Sequence, residues 1–415
     1  MIMSLFDKFT SMAANLESLA SQGIEPFGIP IESVISPTEA IIHGRKFILA
    51  GTNNYLGLNF NADCLAAAHT ALDELGTGTT GSRMANGNLA IHRALEQEFA
   101  DFYGCKEALI FTTGYQANLA VISGMTNHND VIMIDADSHA SIYDACKLSG
   151  AEVIRFRHNN AADLDKRLKR LGTRSQNTLI IIEGIYSMLG DQTPIQDMVE
   201  VKNKYGSLLM VDEAHSLGVL GDRGCGLVEV ADVIQDVDLI VGTFSKSLAN
   251  IGGYCVSPHK AIEILRYVSR PYIFTASLSP ATIASTRVAL KHLEEGRHLR
   301  KRLWSLSNKL YAHLNSEGYI TGPTPGPVIA VLLDSREQAV LLWQNLYNNN
   351  VYVNLVFPPA TPGGQYLVRC SVSAAHTDEQ LEQICEVFSA SKKQLDCISS
   401  LKWPVEKGPN NMSQL

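Results

Sequence analysis

The sequence predicts an α/β protein: a large domain with a mostly parallel sheet covered on both faces, then a smaller C-terminal α+β domain. Three observations predict it. From about residue 105, short continuously apolar runs alternate with longer segments of helical spacing, the pattern of parallel strands buried between helices. After Pro280 the texture changes to a long charged helical stretch followed by shorter strand-like runs. The chain is 46% hydrophobic and 18% charged over 415 residues, an ordinary globular balance with enough material for one large domain and one smaller.

The elements follow in order. An N-terminal segment runs to residue 45, and the large domain is expected over 46–289. Its strand-like runs are 108–111, 131–135, 152–156, 178–183, 208–212 and 239–244, with helical patterns between them such as 164–171 and 195–205. The small domain is expected over 290–400. It comprises a charged helix near 292–304, a strand at 327–333, a helix at 336–348, strands at 351–355 and 366–372, and a closing helix. T-D-E-Q at 377–380 reads as the capping box of that last helix. The polar stretch 401–415 is expected to be a flexible tail.

Several function classes are excluded. A net charge of −8 gives no basic face for nucleic-acid phosphates. No run approaches the roughly 18 apolar residues of a membrane span. The first residues lack a basic n-region, and Asp7 and Lys8 interrupt the apolar stretch, so no signal peptide is expected. The eight cysteines are scattered without a C-x-x-C pair, which reads as reduced cytoplasmic thiols and no metal site. G-T-G-T-T-G at 76–81 matches a dinucleotide fingerprint letter for letter, but it follows the helical L-A-A-A-H-T-A-L-D-E-L and not a strand. It is therefore read as a glycine-rich turn. Leu5, Phe6 and Phe9 on the first helix suit packing on a partner subunit or, at most, peripheral membrane contact.

Ligands of a parallel sheet bind beyond the carboxyl ends of its strands, so the residues there carry the chemistry. They include Gly114 and Tyr115 after the first run, His139 after the second, Ser187 after the fourth, Asp212 and His215 at the fifth, and Thr243, Ser245 and Lys246 at the sixth. A lysine at the mouth of a buried strand is costly unless it has a task. One task is a Schiff base with an aldehyde. With an acid to hold a pyridine nitrogen protonated and histidines for the ring, the set fits pyridoxal phosphate. The Thr113-Gly114-Tyr115 turn offers backbone N–H groups to the phosphate, and Thr243 and Ser245 add hydroxyls. Each residue alone has an ordinary explanation: a turn-forming Asp, a half-buried His, a snorkelling Lys. Their succession at strand ends favours the cofactor.

These motifs are similar to those of a known family. T-F-S-K-S (243–247), V-D-E-A-H-S (211–216), D-A-D-S-H-A-S (135–141) and E-G-I-Y-S-M-L-G-D (183–191) resemble the α-oxoamine synthases, fold-type I pyridoxal-phosphate enzymes. That family condenses an amino acid with an acyl-CoA and releases carbon dioxide. The likeness runs from about residue 25 to 395 and is strongest to soluble, homodimeric bacterial members. S-P-T-E-A (36–40), G-S-R-M-A-N-G (81–87), R-F-R-H-N (155–159), R-P-Y-I-F-T-A-S (270–277) and P-P-A-T-P (358–362) carry it. The resemblance implies L-serine and a long-chain acyl-CoA, palmitoyl-CoA, as substrates. The implied products are 3-ketodihydrosphingosine, CoA and CO2.

Residue by residue, the resemblance implies that Lys246 bonds the cofactor and moves the Cα proton. Asp212 pairs with the pyridine nitrogen, His215 and Ser187 lie by the ring oxygen, and His139 stacks on the ring. Gly114, Tyr115, Thr243 and Ser245 face the phosphate, with Thr275 reaching it from the neighbouring subunit of a homodimer whose site is at the interface. Asn54, Tyr55 and Arg369 face substrate, Arg369 as a clamp for a carboxylate. Two departures bear on substrate preference: Asn53 stands where an aromatic residue is usual, and S-L-A-N-I-G-G follows the lysine. Sister activities using glycine or alanine with another acyl thioester are the nearest rivals. An aminotransferase and a non-enzymatic regulatory subunit are more distant ones.

Overall fold

The computed structural model describes residues 5–21, 25–358 and 360–400; the stretch 401–415 expected to be a tail lies outside them. The expected runs become strands. They are β4 (Glu107–Phe111), β5 (Val131–Asp135), β6 (Glu152–Phe156), β7 (Thr178–Glu183), β8 (Leu208–Asp212) and β9 (Leu239–Thr243). With β10 (Gly253–Ser257) they form a seven-stranded sheet in the order β4-β10-β9-β8-β7-β5-β6. Those inside the sheet are apolar on both faces, while the edge strand β6 keeps Glu152, Val153 and Arg155 exposed. Only β10 runs against the others, pairing antiparallel with both β4 and β9.

Alternate residues of the inner strands feed two apolar layers. Ile110, Met133, Ile180, Val211 and Ile240 join one cluster, while Leu109, Ile134, Ile181, Met210 and Val241 join the other. The period of two thus divides one sheet between two cores. The first cluster continues without a break through Leu303, Val328, Leu346 and Phe388, so the C-terminal elements share it.

A second sheet, wholly antiparallel, contains β11 (Ile320–Thr321), β12 (Val328–Leu333), β14 (Asn354–Val356) and β15 (Tyr366–Ser371) in the order β11-β12-β15-β14. A third joins β1 (Ser33–Ser36), β2 (Glu39–Ile42) and β3 (Arg45–Leu49) to β13 (Val351–Tyr352), with β3 and β13 parallel. The N-terminal segment is thereby paired with a strand far along the chain. The helix Pro280–Glu295 runs through residues 289–290, and the following helix Arg297–Ser316 starts after Gly296. The expected capping box is formed: Thr377 Oγ1 accepts from Gln380 N at 3.1 Å, and Thr377 N donates to Gln380 Oε1 at 3.1 Å. The glycine run at 76–81 follows the helix Ala62–Leu75 and no strand, as expected.

Candidate active site

The carboxyl ends of β4, β5, β7, β8 and β9 lie side by side, and their polar residues meet there. Lys246 sits in the loop between β9 and β10. Phe244 N donates to Gly252 O at 3.0 Å and Ala249 N to Lys246 O at 2.9 Å, which closes the loop. Ser247 anchors it by donating to Leu217 O at 2.6 Å. Lys246 is half-buried, and its side chain has no hydrogen bond or ion pair among the described residues. Desolvation, helped by the nearby Arg369 charge, pulls its pKa down to about 8 against the opposing pull of Asp212 and Glu183.

Asp212, buried at the end of β8, accepts from Asn118 Nδ2 at 2.9 Å and from Ala214 N at 2.9 Å. Its neighbour in register at the end of β7 is Glu183. Burial first, and the Asp212 charge second, hold the Glu183 carboxyl well above its usual range. Two carboxylates cannot cheaply both be ionised at such a place. His139 N donates to Glu183 Oε1.

His139 caps the helix Ala140–Ser149, its Nδ1 accepting from Ser141 N at 3.2 Å. That bond assigns the proton of the neutral ring to Nε2. The ring is open to the surface of the single chain, while its Nδ1 edge meets the buried Ser141 hydroxyl at 2.8 Å. Burial of that edge and the Lys246 charge lower the His139 pKa, although Asp212 pulls the other way. His215 is fully enclosed and held well below the usual histidine value by burial, then by Lys246, Arg369 and His139. Its Nδ1 lies 2.8 Å from the Tyr55 hydroxyl, whose own pKa burial pushes up to about 12. Both histidines are neutral at pH 7.

Arg369, on β15, is buried with no carboxylate partner among the described residues. Its Nε donates to Ser187 O at 2.7 Å, Nη1 to Ser371 Oγ at 3.2 Å and Nη2 to Asn53 Oδ1 at 3.2 Å. A buried guanidinium held only by neutral acceptors is a site for an anion.

The helix Gly114–Met125 points its N-terminus at the end of β9. Thr113 Oγ1 accepts from Gln116 N at 3.0 Å and Thr113 O from Ala117 N at 3.0 Å. The amides of Gly114 and Tyr115 are left without an acceptor among the described residues. A Cβ on Gly114 would stand 2.7 Å from Thr243 Cβ, so only glycine permits this approach. Thr243 Oγ1 meets Ser245 Oγ at 2.9 Å and donates to Gly252 O at 3.0 Å. These free amides, two hydroxyls, an unpaired lysine and a buried aspartate are the donor set a phosphorylated pyridine aldehyde needs.

Not every expected residue points inward. Asn54 spends its amide on Asn59 Oδ1 at 2.7 Å and Pro37 O at 3.4 Å, while Asn53 and Tyr55 on either side face Arg369 and His215. Tyr115 is exposed and donates its hydroxyl to Asp144. Ser187 meets Arg369 through its carbonyl. Thr275 accepts from Gln116 Nε2 of its own chain at 3.3 Å. The sequence reading gave no role to Asn118 or Glu183. An asparagine on the buried face of an otherwise apolar helix was the available signal for the first.

The profile of the aminotransferase class I and II family matches residues 45–388. The serine palmitoyltransferase of Caulobacter vibrioides is 50% identical over 400 residues, covering 96% of this chain and 99% of that one. The 8-amino-7-oxononanoate synthase of Geobacter sulfurreducens is 34% identical over 94% of this chain and 99% of its own. A solved structure described as SPT with PLP internal aldimine superimposes with a TM-score of 0.92 at 43% identity, covering 95% of this chain and all of that one.

Proposed function

The chain belongs to the aminotransferase class I and II family, among its α-oxoamine synthases, and from this premise we infer that it catalyses the serine palmitoyltransferase reaction with pyridoxal phosphate. L-serine and palmitoyl-CoA are joined between serine Cα and the acyl carbon, and CoA and CO2 leave. The observation that carries this reading is the assembly of Lys246, Asp212, His139 and His215 around one strand-end cleft, with the uncompensated Arg369 beside it. When bound, the cofactor supplies an electron-withdrawing ring that makes the Cα proton of an amino acid removable.

The chain's own residues do the rest. Lys246 anchors the aldehyde and, as an amine whose pKa lies near neutrality, accepts and returns the proton at Cα. With the cofactor bound, Asp212, oriented by Asn118, would hold a proton on the ring nitrogen. Neutral His139 offers its Nε2–H to a carboxylate or carbonyl oxygen, and His215 with Tyr55, and Ser187, would lie by the ring oxygen. The amides of Gly114 and Tyr115, with Thr243 and Ser245, hold the phosphate. Arg369 grips the serine carboxylate, and Tyr55 borders the substrate.

We propose a cytoplasmic homodimer with Thr275 contributed across the interface; among the described residues, no helix is long and apolar enough to cross a membrane. We also propose 46–289 and 290–400 as its two domains. The test is CoA release from palmitoyl-CoA by the cofactor-loaded protein with L-serine, glycine, L-alanine or no amino acid. Release that depends on serine and is abolished by Lys246→Ala is expected. Release with glycine or alanine alone moves the enzyme to a sister activity.

A further inference from the structure

A cluster of charges outside the site is tied to it through one turn. His158 lies between two carboxylates: its Nδ1 is 2.8 Å from Asp135 Oδ1 and its Nε2 is 2.6 Å from Asp191 Oδ2. Asp135 is fully buried at the end of β5, and its other oxygen accepts from Asn159 N at 2.8 Å. Asn159 Nδ2 donates to Asp191 Oδ2 at 2.7 Å and to Gln192 O at 3.2 Å. The Tyr186 ring stands edge-on to His158, with centroids 4.5 Å apart. Burial alone would discharge this imidazole, but the bonds to Asp135 and Asp191 win and raise its pKa to about 10. It is an imidazolium at pH 7.

The group at the far end of this cluster, Asp191, closes the turn 186–191. Tyr186 N donates to Asp191 O at 2.9 Å and Gly190 N to Tyr186 O at 3.0 Å. The same turn carries Ser187, whose carbonyl accepts from Arg369 Nε. Its outer side is pressed against the antiparallel sheet. A Cβ on Gly190 would lie 2.5 Å from Val328 O, and one on Gly322 would meet Leu189 O. Val328 pairs with Ser371, and Ala330 with Arg369 itself. The turn is thus held by ions on the side of the large sheet and by backbone contact on the side of the small one.

We propose that Asp135, His158 and Asp191 are positioning residues for amino-acid recognition: they fix the turn whose Ser187 carbonyl aims Arg369, and so set affinity for the substrate carboxylate without touching substrate. This rests on the reading of Arg369 as the carboxylate grip. The ion cluster takes no part in bond making; its effect passes through the geometry of a single carbonyl.

The experiment compares the holoenzyme with Asp191→Ala, Arg369→Ala and the double variant, with Asp191→Asn made as well in case the alanine variant does not fold. Kinetics are measured with L-serine and palmitoyl-CoA, and serine affinity by titrating the cofactor absorbance. Asp191→Ala is expected to raise the KM and Kd for serine about tenfold, the order of loss that weakening one charge-assisted hydrogen bond produces. The kcat and the KM for palmitoyl-CoA should stay unchanged. In the Arg369→Ala background, Asp191→Ala should add nothing further. A fall in kcat or cofactor content with normal serine affinity marks a purely structural cluster and overturns the proposal, as does full additivity. Raised KM in Arg369→Ala with normal KM in Asp191→Ala overturns the proposal alone. Unchanged serine affinity in Arg369→Ala overturns the carboxylate reading and the proposal with it.

Discussion

Lys246 is a lysine whose ordinary charge the fold suppresses. Its loop removes water without offering a carboxylate in contact, so the ammonium loses stability and the free amine becomes accessible near neutrality. The sign is clear: reactivity belongs to the deprotonated form and therefore grows as pH rises through the lowered pKa. In the apoprotein, the rate at which Lys246 captures pyridoxal phosphate should climb to a plateau just above pH 8, followed by stopped-flow absorbance. An unperturbed lysine would keep gaining up to about pH 10.4. At this scale the sequence was informative wherever a functional side chain ends a strand or follows it closely, as Asp212 and Lys246 do. It was silent where function depends on partners from distant segments. Besides Ser371 on its own strand, Arg369 takes its acceptors from residues 53 and 187, and no local spacing relates it to those two. Asn54 shows the same limit in reverse: a one-residue alternation decides that Asn53, and not Asn54, meets the arginine.

Among the elements, the helix Gly114–Met125 does the most with the least. Its capped N-terminus lies against Thr243 with no room for a side chain at Gly114. Gly114→Ala should cost about 1–3 kcal/mol of overpacking and separate the free amides from the Thr243 and Ser245 hydroxyls. Cofactor affinity is expected to fall at least tenfold, read by equilibrium dialysis, with far-ultraviolet circular dichroism unchanged. The parallel strands were legible because each is a short, mostly apolar run between helices. Strand β10 was not, since G-Y-C-V-S follows another glycine and its pairing with β4 is a long-range event. The break at Gly296 was likewise hidden inside a charged run of continuous helical spacing, although the charge changes sign there from Glu294 and Glu295 to Arg297.

At the scale of the molecule, apolar surface gathers near the site. Phe274 is 74% exposed and Tyr267 64%, with Ile264 and Val268 close by in sequence, next to Thr275. Such a patch on a single chain calls for a partner. Phe274→Asp should convert the proposed dimer to monomer, measured by light scattering after gel filtration, and activity should fall with dimer content. A variant that remains dimeric places the interface elsewhere. The sheet order carries a temporal meaning as well. Strand β4 has a single neighbour, β10, so Phe111 must wait for Gly253 to be synthesised before it can pair. On a ribosome adding roughly 5–20 residues per second, the helix after β4 has no finished sheet to dock on until the lysine loop has emerged. Arg369 arrives later still. The nascent chain therefore gains its proposed phosphate cradle and its lysine together and its proposed carboxylate grip last, in the order in which β4, β10 and β15 can complete their sheets.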